Sequence, residues 1–176
     1  MNQEIFQVKF VCAGNICRSV MAQRVALTLA SNLDLTSLVF SSSGTGAWHE
    51  GQEADPRTRK ALLNAGYPNF THKATQYRDS WTPGLDLIVA MDRANYASLF
   101  HMPNVSREIH KLFLLRDLDK KFSTSYSDAS INLDVPDPYF GDDKDFADTL
   151  EIVEKNVSEL LHRIKDARLN LGALPS

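Results

Sequence analysis

At 176 residues the chain has the length of one domain, 1–176, and 43% hydrophobic with 23% charged residues is ordinary globular composition. A formal net charge of -3 argues against general nucleic-acid binding, which needs a concentrated excess of Lys and Arg, and no stretch approaches the roughly 20 apolar residues of a membrane span. Two cysteines, Cys12 and Cys17, are too few for a disulfide framework or a four-cysteine zinc site, so a reactive thiol is the more useful reading.

The N-terminal "MNQEIFQVKFVC" has no basic segment followed by a long apolar run, which makes the cytosol the expected compartment and export without a signal peptide the second route. Residues 6–11 read as a short strand, and from Ser19 onward Ala22, Val25, Ala26, Leu29 and Ala30 follow a helical period. Cys12 therefore falls between a strand and a helix. Residues 38–42 form a second strand, the loop "SSGTGAWHEGQEAD" follows, and Pro56 opens a helix that Gly66 closes. "LDLIVAM", residues 85–91, is apolar enough for a strand buried on both faces. A helix over 93–100 and a weaker strand over 109–113 come next. A long polar stretch between Leu115 and Asp145 ends in "VPDPYFGDDKD", and such a loop in a compact domain is more often functional than accidental. In the final helix Phe146, Leu150, Val153, Val157, Leu160, Leu161 and Ile164 make an apolar stripe; Asp145 is expected to cap its start and "LNLGALPS" to fray after it. Alternating strands and helices imply an α/β fold with a mainly parallel sheet and helices on both faces, in which ligands bind at the carboxyl ends of strands. Cys12 stands at such an end.

A loop running from a strand into a helix N-terminus points backbone N–H groups into one concavity, and the helix dipole adds positive character there. In "CAGNICRS" Gly14 and Asn15 both tolerate a left-handed conformation that folds the amides inward. Arg18 supplies a planar fork that holds two oxygens of a phosphate at once, and the same field, with the Ser19 hydroxyl, favours a Cys12 thiolate. The loop alone specifies an anion and a nucleophilic sulfur.

"VCAGNICRS" followed far downstream by "DPYFGDDKDF" resembles the low-molecular-weight protein tyrosine phosphatase family, most of all its bacterial members. "SSSGTGAW", "DPR", "HKA" and "AMDRAN" extend the likeness over nearly the whole chain. The resemblance implies a four-stranded parallel sheet flanked by helices, with the phosphate-binding loop, including Ala13, Ile16 and Cys17, between the first strand and the first helix. It implies that Cys12 accepts the phosphoryl group, Arg18 clamps it and Asp137 is the general acid, without metal or cofactor. A phenolate leaving group makes that acid useful, and Pro136 and Pro138 stiffen the backbone on either side of Asp137. Trp48, Tyr139 and Phe140 are placed at the rim of a slot for the phenyl ring, although aromatic side chains also serve simply to anchor long loops. Ser42, His72 and Asp92 match positions that support the loop together with Asn15, His72 as a structural residue and not a chemical one. Cys17 matches a cysteine that pairs reversibly with the nucleophile in many members; an inert thiol packed under the loop is the equal alternative. Four positions depart from the pattern: Val20, Gln23, Thr75 and Pro136.

The implied partner is a tyrosine-phosphorylated protein, such as a tyrosine kinase or a host protein, met by a monomer or weak dimer. Three other functions compete. A thiol-dependent arsenate reductase of this fold needs cysteines after Cys17, and there are none. A protein-arginine phosphatase carries threonine where Ile16 stands. A phosphotyrosine-binding module has lost a catalytic residue, and none is missing here.

Overall fold

β1 (Phe6–Cys12) alternates sharply although both its faces are covered: Val8, Phe10 and Cys12 enter one apolar cluster and Val11 the other. The computed structural model describes residues 5–118 and 132–172. Part of the polar stretch read between Leu115 and Asp145, and the last four residues of "LNLGALPS", lie outside them.

Four strands, β1, β2 (Leu38–Gly44), β3 (Leu87–Ala90) and β4 (Leu112–Leu114), form one parallel sheet in the order β2-β1-β3-β4. Cys12 pairs with Gly44 and Val11 with Ala90. The chain leaves β1 toward β2 on one side and returns to β3 on the other, so the strand order reverses beside β1, where open α/β sheets form their ligand crevice. One face is covered by α1 (Arg18–Asn32), α2 (Pro56–Asn64) and α5 (Asp143–Gly172), around Phe10, Met21, Leu62, Phe146 and Leu161. The other is covered by the 3-10 turn Asp79–Gly84, α3 (Arg93–Phe100) and α4 (Pro103–Arg107), around Val11, Ile88, Leu99 and Leu114. Neither α4 nor the 3-10 turn was expected from the sequence pattern.

The α5 stripe from Phe146 to Ile164 is buried throughout, in keeping with its period. Its N-cap is Asp142 and not Asp145. Asp142 Oδ1 accepts from the Lys144 N–H at 2.8 Å, and Asp145 reaches back to accept the Asp142 N–H at 2.8 Å. Two acids three apart thus cap each other's backbone, and Asp145 holds the reciprocal position. The helix also continues to Gly172, past the start of "LNLGALPS".

β4 lies three residues beyond the expected start at Ile109. Ile109 is exposed in a short 3-10 turn, whereas Leu112 and Leu114 are buried against Ile88 and Ala90, so period-two burial selects the register. β3 is shorter than its apolar run for a similar reason: Leu85 is held in a turn through Thr82.

Candidate active site

The segment from Cys12 to Arg18 folds around Asn15, whose φ of 57° is left-handed. Its buried side chain ties the loop to three separate segments. Asn15 Nδ2 donates to Ser19 Oγ at 2.9 Å and to Ser42 Oγ at 3.0 Å, while its Oδ1 accepts from the Thr75 N–H at 2.9 Å. The Asn15 carbonyl accepts from His72 Nε2 at 2.7 Å, which fixes the proton of a neutral imidazole on that nitrogen. Burial lowers the His72 pKa and outweighs the opposing pull of that carbonyl. The Thr75 contact is a backbone one, so the departure at that position leaves it intact.

Gly14 does not use the left-handed conformation it tolerates: among the described residues the positive-φ positions are Asn15, Asp34, Gly51 and Gly66. Its lack of a side chain serves a close approach instead, because a Cβ there would lie 2.8 Å from His49 Cδ2. Gly44 is held more tightly, since a Cβ would stand 2.6 Å from the Ala13 carbonyl oxygen. The end of β2 thus packs directly against the loop backbone, and the Thr45 and Gly46 N–H groups donate to the Cys12 and Ala13 carbonyls at 2.8 and 3.0 Å.

Cys12 Sγ lies 3.3 Å from the Asn15 N–H and 3.1 Å from Ser19 Oγ. The direction of the second bond follows from its neighbours. Gln23 Nε2 donates to the Phe40 carbonyl at 3.2 Å, so its Oε1 accepts the Ser42 hydroxyl at 2.7 Å. Ser42 and Ser19 both accept from Asn15 Nδ2, which leaves the Ser19 hydrogen for the sulfur. Gln23 thus closes the far end of a chain of hydrogen bonds, through Ser42 and Asn15, that reaches Cys12 by way of Ser19. No side chain caps α1, so its first-turn N–H groups are not taken up by one.

Arg18 is 3% exposed and bridges two carboxylates. Nη1 donates to Asp92 Oδ2 at 2.5 Å and to the Val135 carbonyl at 3.1 Å, and Nη2 donates to Asp137 Oδ2 at 2.7 Å. Burial works against its charge, but Cys12, Asp137 and Asp92 together outweigh that and hold the guanidinium protonated. Asp92 can grip Arg18 firmly because its other oxygen, Oδ1, caps α3 by accepting the Asn95 N–H at 2.6 Å. The Val135 N–H donates to the Met91 carbonyl at 2.8 Å, docking the Asp137 loop on the end of β3.

A cavity of about 270 Å³ opens over the loop and is lined by Cys12, Ala13, Gly14, Ile16, Cys17, Arg18, Trp48, His49, Asp137, Tyr139 and Phe140. The candidates from both ends of the sequence thus meet at one opening, with Trp48 and Phe140 exposed at its mouth and Ser42, His72 and Asp92 behind the loop. Both cysteines are free, and burial pushes the Cys17 thiol up to about 12. His49 was not foreseen. It lies beside Trp48, its Nδ1 is 2.8 Å from Gln52 Oε1 and its ring centroid is 5.9 Å from that of Tyr139.

The family model for low molecular weight phosphotyrosine protein phosphatase matches residues 7–170. The chain belongs to this family. A low molecular weight protein-tyrosine-phosphatase of Streptomyces coelicolor is 41% identical over 162 residues, covering 92% of this chain and 94% of that protein. Low molecular weight protein-tyrosine phosphatase A of Mycobacterium tuberculosis is 38% identical over 163 residues, covering 92% and 93%. Among solved structures, a protein tyrosine phosphatase of Entamoeba histolytica superposes with a TM-score of 0.80 at 32% identity, covering 93% of this chain and 99% of that one. No helix among the described residues is long and apolar enough to cross a membrane.

Proposed function

We propose that this phosphatase hydrolyses protein phosphotyrosine and small aryl phosphates through a phosphoenzyme on Cys12. The observation that carries the reading is the convergence of Cys12, Arg18 and Asp137 on one cavity, with two donors aimed at the sulfur. A phosphoryl group entering the loop takes the place of Asp137 on Arg18 Nη2, while Asp92 and the Val135 carbonyl keep Nη1 fixed. Sγ then attacks phosphorus, the aryl P–O bond breaks, and the Asp137 proton passes to the departing phenolate oxygen. In the second half-reaction the Asp137 carboxylate takes a proton from water as that water attacks phosphorus. The S–P bond breaks, inorganic phosphate leaves and the thiolate returns.

The aromatic rim favours a phenyl ring over the short phosphoserine side chain, with stacking on Tyr139 or Trp48 contributing roughly 0.5–1.5 kcal/mol per pair. In the presence of a chelator, full activity on aryl phosphate and little on phosphoserine peptides are expected. Cys12→Ser should abolish turnover, and unimpaired turnover in that variant would sink the mechanism. Asp137→Ala is expected to lower kcat/KM on phenyl phosphate by roughly 100- to 10,000-fold. The protein substrate is read as a tyrosine kinase or a host protein, and a cytosolic setting suits two reduced thiols.

For Cys17 the reading is a thiol at rest that condenses with Cys12 once peroxide has made Cys12 a sulfenic acid, releasing water and forming a disulfide. Peroxide-inactivated wild type is then expected to recover with reductant better than Cys17→Ser, and equal recovery removes the protective role.

A further inference from the structure

We propose that Arg57, which takes no part in the reaction just described, is the positioning residue that holds the Asp137 loop at a set distance from the thiol loop. The proposal rests on the reading of Asp137 as the acid.

Arg57 enters α2 directly after Pro56, far in sequence from the loop it touches. Its guanidinium makes four hydrogen bonds. Nε and Nη2 donate to the two oxygens of Asp55 at 3.0 and 2.8 Å, Nη1 donates to the Gly141 carbonyl at 2.9 Å, and Nη2 also donates to the Tyr139 carbonyl at 3.0 Å. The plane lies 4.5 Å above the Phe146 ring and 5.9 Å from that of Tyr139. Asp55 in turn is buried, and its own N–H donates to the Ile16 carbonyl at 3.0 Å. A continuous set of bonds therefore runs from Ile16, between nucleophile and clamp, through Asp55 and Arg57, to carbonyls two and four residues beyond Asp137.

Asp137 is bracketed by this arrangement. Upstream, Val135 is fixed to Met91 and Arg18; downstream, Arg57 fixes Tyr139 and Gly141. The Tyr139 N–H donates to Asp137 Oδ1 at 3.2 Å, so the residue that Arg57 holds by its carbonyl orients the carboxylate by its amide. This matters at the moment Asp137 leaves Arg18 for the leaving oxygen, when its ion pair no longer holds it. One planar fork spanning a carboxylate and two carbonyls requires arginine; lysine provides a point charge that cannot reach all three in one plane.

The test compares kcat/KM on phenyl phosphate, whose leaving group needs a proton, with that on p-nitrophenyl phosphate, whose leaving group departs readily without one. Full-length Arg57→Gln and Arg57→Lys are measured alone and combined with Asp137→Ala, with thermal melting to confirm that each is folded. Displacing a catalytic group by about 1 Å costs on the order of 100-fold. Arg57→Gln is therefore expected to lower kcat/KM about 10- to 100-fold on phenyl phosphate and far less on p-nitrophenyl phosphate. Arg57→Lys should recover part of the loss, and Arg57→Gln should add nothing once Asp137 is alanine. Equal losses on the two substrates in a folded Arg57→Gln, or a full further loss on top of Asp137→Ala, overturn the positioning role while leaving Asp137 as the acid. If Asp137→Ala itself slows both substrates equally, the acid assignment fails first.

Discussion

Replacing Asn15 by alanine removes the one side chain in the loop that ties it at once to Ser19, Ser42 and the Thr75 backbone. Three side-chain hydrogen bonds are lost, to Ser19, Ser42 and the Thr75 N–H, the first of them buried and the other two part-buried. At about 0.5–1.5 kcal/mol net each they account for roughly 1.5–4.5 kcal/mol. An alanine also has to hold φ near 57°, which adds about 1–2 kcal/mol. The sum, roughly 2.5–6.5 kcal/mol, is a large part of the 5–15 kcal/mol typical of a domain. Asn15→Gly separates the two contributions, since it loses the bonds but not the ease of the left-handed backbone, and should be more stable than Asn15→Ala by about 1–2 kcal/mol. Guanidinium denaturation of wild type and both variants reads these differences. Turnover of aryl phosphate should fall in both, because the Ser19 hydroxyl is no longer directed at Cys12. A loss below about 1 kcal/mol with unchanged turnover in Asn15→Ala would refute the account of the loop as a strained turn held by one amide.

Gly44→Ala brings a Cβ to 2.6 Å from the Ala13 carbonyl and 3.0 Å from the Gly14 carbonyl carbon, both backbone atoms. Overpacking of about 1–3 kcal/mol and a loss of aryl phosphate turnover are expected, and a fully active, equally stable variant contradicts the packing described. His72 titrates below its ordinary value, so the folded state binds less proton than the unfolded one. Its contribution to stability is complete above about pH 6.5 and is lost as the pH falls from there toward the lower folded value. Denaturation at about pH 7.5 and 5.5 should show a drop in wild type that His72→Gln lacks; the same drop in both assigns it elsewhere.

Much of the site was readable from short-range pattern. The strand, the "CAGNICRS" loop and the helical period after it lie within one stretch of chain, and the chemistry of thiol, fork and hydroxyl follows from residue type and placement at a strand end. Asn15 took the left-handed conformation its side chain tolerates. Gly14 did not, because its glycine answers to His49, a neighbour that no local rule identifies. The strand before the long polar loop begins three residues later than its apolar pattern suggests, since Ile109 and Leu112 are equally apolar in sequence and only packing on Ile88 chooses between them.

The local sequence thus supplied the candidates: a thiol and an arginine six positions apart, an aspartate between two prolines, and aromatic residues in the two flanking loops. Tertiary structure alone decided how they are held. Asp92 serves Arg18 only because the same carboxylate caps α3, and Gln23 bears on Cys12 only through Ser42 and Asn15. Arg57 reaches the Asp137 loop only because α2 packs beside α5. Each of these is a contact between segments many residues apart, where a hydrogen bond depends on distance and direction in space, and the spacing of residues along a chain encodes neither.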